Sequence, residues 1–257
     1  MKYSYYPGCT LKTKAKELDV YARKCAEKLG VELTEVDDWQ CCGGVYTTSR
    51  DEIVTKLSSV RALNNAKERG QSLVTVCSAC HNVIKRVNYD MANDAFVNAG
   101  ANNYLQLATP YNGETKVIHF LELLRDEIGF ENVKKAVVNP VKRRISAYYG
   151  CLLLRPGNVM AMDDPENPRI MEDFISAIGG TPVVSPYRNE CCGAYLAVTD
   201  PAVPARHCGY ITDSFKAKGA ETVITACPLC MYNLKRNSGD LPVVYFSEIL
   251  AEALGVK

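Results

Sequence analysis

Cysteine is the residue type with the most chemical potential in this 257-residue sequence, which contains twelve of them. Ten fall into two sets with the same order: a single cysteine, an adjacent Cys-Cys-Gly, and a Cys-x-x-Cys pair. A cysteine thiolate can ligate zinc or iron, or attack a disulfide. The sets therefore predict metal binding or redox chemistry. The first set is Cys9, Cys41, Cys42, Cys77 and Cys80, and the second is Cys151, Cys191, Cys192, Cys227 and Cys230.

The two sets belong to an internal repeat. Cys9 and Cys151 are 142 residues apart and the other four pairs are 150 apart, so one insertion of eight residues explains the difference. The flanking sequences also match, because Tyr-Tyr-Pro-Gly precedes Cys9, Tyr-Tyr-Gly precedes Cys151, and VIHFLELL at 117–124 resembles VVYFSEIL at 243–250. A repeat of this kind predicts two related units. We place them at residues 1–140 and 141–257.

Each repeat is predicted to be an α/β unit. Short apolar runs, typical of buried strands, lead into the single cysteine and into the Cys-x-x-Cys pair, and apolar residues at helical spacing follow them. Strands that alternate with helices indicate mostly parallel sheets with flanking helices, whose ligands bind at the carboxyl ends of the strands. The cysteine-rich site of each pseudo-symmetric repeat is therefore expected at strand ends. The predicted strands are 2–6, 73–76, 144–148 and 222–225, and the predicted helices include 15–29, 168–178, one opened by a Ser49–Glu52 capping box, and one opened by Asp200-Pro201.

The spacing of the thiols leaves four interpretations to weigh. Structural zinc takes four ligands from motifs that commonly lie about 15–20 residues apart, which five widely spaced thiols match poorly. A disulfide between neighbours such as Cys41 and Cys42 is strained, and buried inert thiols would not repeat their spacing. Iron–sulfur ligation suits an excess of soft thiolates beside glycines. A cubane cluster needs four thiolates, so the fifth thiolate of each set would act as a bridging ligand, lie outside the ligand set or take part in the reaction.

The order of the cysteines resembles the CCG domain. Two such domains without a ferredoxin motif resemble the B subunit of heterodisulfide reductase, and the resemblance covers nearly the whole chain. It implies a noncubane 4Fe–4S cluster on each complete set of five cysteines, and zinc in one of the two sets as an alternative found in some relatives. In that family a substrate disulfide is proposed to lie between the clusters. This makes Cys9, Cys41, Cys42, Cys151, Cys191 and Cys192 candidates for catalysis, with His81 as a candidate proton donor.

The resemblance also implies a reaction and partners. The expected function is reduction of a disulfide of the coenzyme M–coenzyme B type, or an analogous one, in an anaerobe. The sequence has no nucleotide-binding glycine fingerprint, so electrons would come from a ferredoxin-like partner, the C subunit, linked to a flavin-bearing partner, the A subunit. The alternative is an iron–sulfur electron-transfer component of another dehydrogenase or quinone reductase.

Several polar residues could have either a functional or a structural role. His81 follows the first Cys-x-x-Cys directly, where a solvent-facing or capping histidine is the alternative to a proton donor. His119 and His207 are interpreted as structural. The pairs Lys85-Arg86 and Lys235-Arg236 would meet an anionic substrate or lie on solvated helix faces. Cys25 and Cys208 fall outside the repeat and are predicted to be buried apolar side chains.

Composition excludes several classes of protein. The formal charge of +1 provides no field that would attract nucleic acid or an acidic membrane. No apolar stretch approaches the roughly 18 residues of a membrane span. The N-terminal residues lack the apolar core of a secretory signal, so we expect a cytoplasmic protein.

Overall fold

Two four-stranded parallel sheets, one from each repeat, form the framework of this computed structural model, which describes residues 1–44 and 52–257. The strand order is β2-β1-β3-β4 in the first sheet and β6-β5-β7-β8 in the second. Every pairing is parallel, so the carboxyl ends of the strands lie on one edge of each sheet. The strands are β1 Lys2–Tyr6, β2 Glu32–Glu35, β3 Leu73–Thr75, β4 Val117–His119, β5 Arg144–Tyr148, β6 Thr181–Val183, β7 Thr222–Thr225 and β8 Val243–Tyr245.

Helices connect the strands, as parallel pairing requires. A π-helical segment, Leu123–Ile128, continues α6, and a single 3₁₀ turn, Ala194–Leu196, precedes α10. The α-helices are α1 Cys9–Lys12, α2 Lys16–Lys28, α3 Val54–Glu68, α4 Ser78–Asn93, α5 Ala95–Leu105, α6 Phe120–Glu122, α7 Phe130–Ala136, α8 Gly157–Met160, α9 Ile170–Ala177, α10 Ala202–Ala217, α11 Pro228–Asn237 and α12 Phe246–Leu254.

The predicted α/β fold with two pseudo-symmetric repeats is confirmed. The strands predicted at 2–6, 144–148 and 222–225 have those bounds, and the strand predicted at 73–76 ends one residue earlier. The helix predicted at 15–29 is α2, and the chain turns away from it at Gly30 with a φ of +75°. Ser49 of the predicted capping box lies outside the described residues, and the described helix begins at Val54. The boundary at residues 140 and 141 stays a prediction.

The two repeats share one hydrophobic core. Helix α12 of the second repeat packs against α2 of the first. The Ser247 hydroxyl donates to Leu18 O at 3.2 Å, and the Cys25 thiol lies 3.8 Å from Ser247 O. Cys25 and Cys208 are fully buried, as predicted, and burial raises the pKa of each thiol to about 12. The two sheets are therefore held against each other by apolar packing rather than by a linker.

The asparagine-rich region between α4 and β4 is ordered by its own side chains. Asp94 caps α5 by accepting from Phe96 N and Val97 N. The Asn102 side chain both accepts from Tyr111 N at 2.8 Å and donates to Tyr111 O at 2.9 Å. These amides replace backbone partners that an irregular loop lacks.

A cluster of aromatic side chains packs between the two repeats, and we expect one substitution in this cluster to lower stability strongly. Phe246 is fully buried, and its ring lies 5.5 Å from that of His119, 6.1 Å from Phe120 and 6.3 Å from Phe174. Phe246→Ala is expected to lower the free energy of unfolding by about 3–5 kcal/mol, because the cavity lies where two sheets meet. Unfolding in urea, monitored by circular dichroism, measures this loss of free energy.

The matched control is Phe96→Ala. Phe96 is 72% exposed on α5, so its truncation is expected to change the free energy by no more than about 0.5 kcal/mol. Equal losses in the two variants would contradict a core shared between the repeats.

Candidate functional site: two facing sets of thiols

Strand ends bring the cysteines of each set together. Cys9 and Cys77 follow the neighbouring parallel strands β1 and β3, and Cys151 and Cys227 follow β5 and β7. The second cysteine of each Cys-x-x-Cys lies in the first turn of the next helix, and the Cys-Cys pairs lie in loops. All ten predicted cysteines are thus described, and each set is assembled from three separate segments of its repeat.

Sulfur–sulfur contacts define the geometry within each set. Cys9 Sγ lies 3.6 Å from Cys41 Sγ, and Cys42 Sγ lies 3.4 Å from Cys80 Sγ. In the second set, Cys192 Sγ lies 3.6 Å from Cys230 Sγ. Each pair joins a cysteine of a Cys-Cys loop to one in the first turn of a helix that follows a strand.

Hydrogen bonds between these thiols give them different pKa values. The Cys41 and Cys80 thiols hydrogen-bond to Cys42 and lower its pKa to about 4. In the second set, a hydrogen bond with Cys151 lowers the pKa of Cys191 to about 6. The ionised thiolate is the form of cysteine that binds metals and attacks disulfides. Each set therefore offers thiolate ligands at neutral pH.

The donor set of each repeat fits a metal group with several ions better than a single ion. Five thiols in each set exceed the four that one tetrahedral ion takes. The contacting pairs are spread over three segments, and the Gly193 amide donates to Cys191 Sγ at 3.3 Å. An excess of thiols with a neighbouring amide donor fits a polynuclear iron–sulfur group.

Two equivalent glycines give the chain room to pass the last cysteine of each set. Gly8 has φ 78° and ψ 159°, a conformation open essentially to glycine alone. A β-carbon at position 8 would lie 2.8 Å from Cys80 Sγ, and one at Gly150, where φ is +64°, would lie 3.3 Å from Cys230 Sγ. These contacts explain why glycine precedes the first cysteine of both sets.

Two tyrosines support the loops that carry the Cys-Cys pairs. The Tyr6 hydroxyl donates to Gln40 O at 2.5 Å, and the Tyr148 hydroxyl donates to Glu190 O at 2.7 Å. Tyr6 and Tyr148 occupy equivalent positions in the repeats, and each acceptor immediately precedes a Cys-Cys pair. Sequence reasoning missed this role, although the matching tyrosines before the first cysteines were its signal.

The two sets meet at the ends of β3 and β7. The buried thiols of Cys77 and Cys227 interact across the boundary between the repeats, which raises the pKa of Cys77; hydrogen bonds with Cys230 and then with Cys77 lower the pKa of Cys227. The Tyr245 hydroxyl lies 2.9 Å from Val76 O and 2.8 Å from Ala226 O, the residues immediately before those two cysteines. Each Cys-x-x-Cys is therefore fixed relative to the other.

Other donors complete this junction. The Ser78 amide and hydroxyl donate to Ala226 O at 2.9 and 2.8 Å. His119 Nδ1 accepts from Leu121 N, which assigns the ring proton to Nε2, and Nε2 donates to Val76 O at 3.0 Å. His119 is the equivalent of Tyr245 in the first repeat, and its predicted structural role is confirmed.

His81 lies in a different environment from the one expected of an exposed or capping residue. It is fully buried, and its Nδ1 lies 3.1 Å from Thr75 Oγ1. Its Nε2 lies 3.4 Å from Glu122 Oε2 without the alignment of a hydrogen bond. Burial holds the pKa of His81 well below its usual range, so the ring is neutral. The solvent-facing and capping alternatives are wrong, and a role as proton donor stays a prediction.

The basic pairs differ in their surroundings. Lys85 is half-buried, with Nζ donating to Met160 O at 2.5 Å and lying 3.5 Å from Glu122 Oε1, so it is an internal contact. Arg86, Lys235 and Arg236 are exposed. His207 Nδ1 lies 3.0 Å from Cys191 O, which places this histidine against the backbone of the second Cys-Cys pair.

A narrow, mostly apolar cavity lies beside the second set. Tyr195, which borders it, donates its hydroxyl to Gly44 O at 2.6 Å and so spans from the second repeat to the first. All five cysteines of the second set line this cavity, so a group held by that set would occupy it. Its lining consists of Ser78, Tyr149, Cys151, Leu152, Cys191, Cys192, Ala194, Tyr195, Cys227, Leu229 and Cys230.

Across the part of the chain that the structure describes, no helix is both long enough and apolar enough to span a bilayer.

Comparison with known proteins identifies relatives with this arrangement. The family model of the cysteine-rich domain CCG matches residues 3–85 and 145–235, one match in each repeat. The membrane anchor component of the 8-methylmenaquinol:fumarate reductase of Wolinella succinogenes is 26% identical over 99% of this chain and 93% of its own length. The B subunit of the ferredoxin:CoB-CoM heterodisulfide reductase of Methanosarcina mazei is 23% identical over 99% of this chain and 89% of its own length.

A further relative and one solved structure agree with these matches. A protein of Archaeoglobus profundus, named as similar to the B subunit of heterodisulfide reductase, is 24% identical over 99% of this chain and 91% of its own length. The crystal structure of a hypothetical protein from Helicobacter pylori shares the fold, with a TM-score of 0.74 at 14% identity, and this chain covers 49% of that protein. The resemblance expected from the cysteine order is confirmed.

The junction predicts the effect of removing one hydroxyl. Tyr245→Phe is expected to lower the free energy of unfolding by about 1–2 kcal/mol, the value of one buried hydrogen bond. The loss stays in that range because Val76 O keeps His119 and Ala226 O keeps Ser78 as donors. Urea unfolding is the measurement. Tyr104→Phe, at a tyrosine 63% exposed, is the control and is expected to change nothing, so equal effects would contradict the role of the junction.

Proposed function

Because the chain belongs to the CCG family of cysteine-rich domains, we propose that it is the disulfide-reducing component of a heterodisulfide reductase-type complex. The observation that carries the proposal is the pair of complete five-cysteine sets that meet where the Tyr245 hydroxyl lies within hydrogen-bond distance of Val76 O and Ala226 O. Relatives named after the B subunit of heterodisulfide reductase match nearly the whole chain and support it.

The cofactors in this proposal are two 4Fe–4S clusters of the noncubane type. Clusters transfer electrons one at a time, whereas cleavage of a disulfide consumes two electrons, so two clusters would supply the pair. Zinc in one of the two sets remains the alternative composition. The residues that would hold the clusters are Cys9, Cys41, Cys42, Cys77 and Cys80 in the first set and Cys151, Cys191, Cys192, Cys227 and Cys230 in the second.

The chain itself would position the substrate and exclude water from it. We propose that a small disulfide lies between the two sets, beside the clusters that they would hold. Apolar neighbours such as Leu152 and Leu229 would exclude water and strengthen electrostatic interactions with the sulfur atoms. The cysteines assigned to catalysis are those outside the Cys-x-x-Cys pairs, namely Cys9, Cys41, Cys42, Cys151, Cys191 and Cys192. His81 is the proposed internal proton donor.

The partners follow from the same proposal. Electrons would arrive from the ferredoxin-like C subunit, which the flavin-bearing A subunit would supply in turn. The substrate would be a disulfide of the coenzyme M–coenzyme B type or an analogue, in the cytoplasm of an anaerobe. Relatives whose names specify CoB-CoM heterodisulfide support this substrate class.

An electron-transfer role is the second candidate. The Wolinella succinogenes relative is named as part of a fumarate reductase, and it matches as much of the chain as the heterodisulfide reductase relatives do. In that role the two clusters would relay electrons, and no disulfide would be consumed.

Metal analysis and spectroscopy test the proposal together. Protein purified without oxygen is expected to contain about eight irons and eight sulfides per chain, the content of two 4Fe–4S clusters. After mild oxidation, its paramagnetic resonance spectrum is expected to change when a candidate thiol is added. Eight irons with no response to any thiol would favour the electron relay. Two zinc ions without iron would contradict both candidate functions.

A glycine substitution tests which residues hold the first cluster. Gly8→Ala is expected to lower the iron content from about eight to about four per chain, because its β-carbon would displace Cys80 Sγ while the second set stays intact. Iron and sulfide analysis of the purified variant is the measurement.

Gly30→Ala is the matched control. Gly30 has nearly the same φ, +75°, but a β-carbon there meets no atom within 4 Å. It carries the backbone strain without the contact to sulfur and is expected to keep about eight irons. Equal iron loss in the two variants would show that general destabilisation, not the position of Cys80, lowers the content.

A further inference from the structure

The sulfur atom of Cys192 faces a side-chain amide inside the second repeat. Asn233, on α11, is 2% exposed, and its Nδ2 lies 3.8 Å from Cys192 Sγ and 3.4 Å from Cys192 O. A carbonyl oxygen only accepts hydrogen bonds, so the amide presents its NH₂ group, rather than its oxygen, to Cys192. The two N–H bonds of this amide are therefore available to the backbone oxygen and the sulfur atom of the same cysteine.

The equivalent position in the first repeat carries an apolar side chain. Val83 lies three residues after the last cysteine of the first set, as Asn233 does after the last cysteine of the second. The valine also lies near the equivalent sulfur atom, because a β-carbon at Gly44 would lie 3.7 Å from Val83 Cγ2 and 3.5 Å from Cys42 Sγ. Valine has no hydrogen-bond donor in its side chain. The second set therefore has a donor that the equivalent position of the first set lacks.

The backbone donors to the two Cys-Cys pairs are alike. Hydrogen bonds with neighbouring thiols, and then with backbone amides, lower the pKa of the second cysteine of each pair. The amide of Gly44 acts on Cys42, and that of Ala194 acts on Cys192. The side-chain amide of Asn233 is thus an addition to a backbone arrangement that both repeats share.

The second set is also less accessible to water. Cys9 and Cys41 are exposed, whereas Cys151 and Cys191 are only partly exposed. Water stabilises negative charge at exposed sulfur atoms, and burial withdraws this stabilisation. The Asn233 amide supplies, inside the protein, a donor of the kind that water supplies to the first set.

We propose that Asn233 raises the reduction potential of the group held by the second set. This inference rests on the cofactors of the proposed function, and it makes Asn233 a positioning residue that acts through Cys192. Reduction adds one electron from the ferredoxin-like partner or from a chemical reductant, and part of the added negative charge falls on the ligand sulfur atoms. An N–H donor near one of these atoms stabilises the reduced state more than the oxidised state, which makes the potential more positive.

Asn233→Val tests the donor, because it gives the second repeat the side chain of the first. The measurement is a redox titration of protein purified without oxygen, followed by paramagnetic resonance. The equilibrium constant for one-electron reduction of one cluster is expected to fall about three- to tenfold, the effect of one hydrogen bond. This corresponds to a shift of about 28–59 mV to more negative potential. The other midpoint potential is expected to be unchanged, and iron content is expected to stay at about eight per chain.

Val83→Asn is the matched variant in the first repeat. It removes no hydrogen bond and places an amide at the equivalent position near Cys42 Sγ, so the other midpoint potential is expected to become more positive. A purely structural role of Asn233 would leave that potential unchanged.

Asn237→Leu is the control on the same helix. Asn237 lies one turn beyond Asn233, and its Nδ2 donates to Asn233 O at 2.8 Å. The substitution removes an amide from α11 but keeps the donor to Cys192 Sγ, so both midpoint potentials are expected to match those of the wild type.

The outcomes distinguish this inference from the proposed function. If the wild type holds two clusters and Asn233→Val keeps all its iron with both potentials unchanged, the inference is wrong and the proposed function stands. An equal shift in Asn237→Leu would also contradict the inference. If Asn233→Val loses about half of its iron, Val83→Asn decides, and an unchanged first potential overturns the inference. A second set that holds zinc or no metal in the wild type would overturn both the proposed cofactors and the inference.

Discussion

The junction at the ends of β3 and β7 is the constraint on which the rest of the site depends. Val76 and Ala226, the residues that follow β3 and β7, direct their carbonyl groups at one hydroxyl, that of Tyr245. Each carbonyl immediately precedes a Cys-x-x-Cys pair, so a shift of one strand would move two cysteines relative to the other two. Because the hydroxyl is fully buried, burial and nearby thiols hold the pKa of Tyr245 well above its ordinary value and it keeps its proton. The two Cys-x-x-Cys segments are thus aligned by a hydrogen bond rather than by loops.

Burial at this junction has an electrostatic consequence for the thiols. Six of the ten thiols are buried in one core, and they cannot all ionise, since like charges in a low dielectric repel strongly. The lowered pKa of Cys42 and the raised pKa of Cys80 show how neighbouring thiols divide the protons between them. Thiolates gathered in this way repel one another unless a positive charge lies close to them. Lys85, the nearby cation of the first repeat, is instead held by Glu122 and Met160 O.

The sequence allowed the local features to be predicted, and tertiary contacts explain what was missed. Strands 2–6 and 144–148 and the grouping of the cysteines follow from apolar runs and a repeat, which are properties of short segments. The burial of His81 depends on Glu122, which is brought beside it by a strand some forty residues away along the chain. The role of Tyr245 depends on the pairing of repeats, which no periodicity encodes.

Pseudo-symmetry must fail where the repeats meet, and it fails at the residues that hold the two Cys-x-x-Cys segments together. His119 and Tyr245 occupy equivalent positions, but two equivalent long side chains directed at one shared point would collide in a close-packed core. The tyrosine hydroxyl reaches the carbonyls of both repeats, whereas the imidazole reaches only Val76 O. A duplicated domain that shares its core therefore has to diverge at the contact between its copies. Tyr195 extends the same asymmetry to the cavity, because one repeat contributes the side chain and the other, at Gly44, only a carbonyl group.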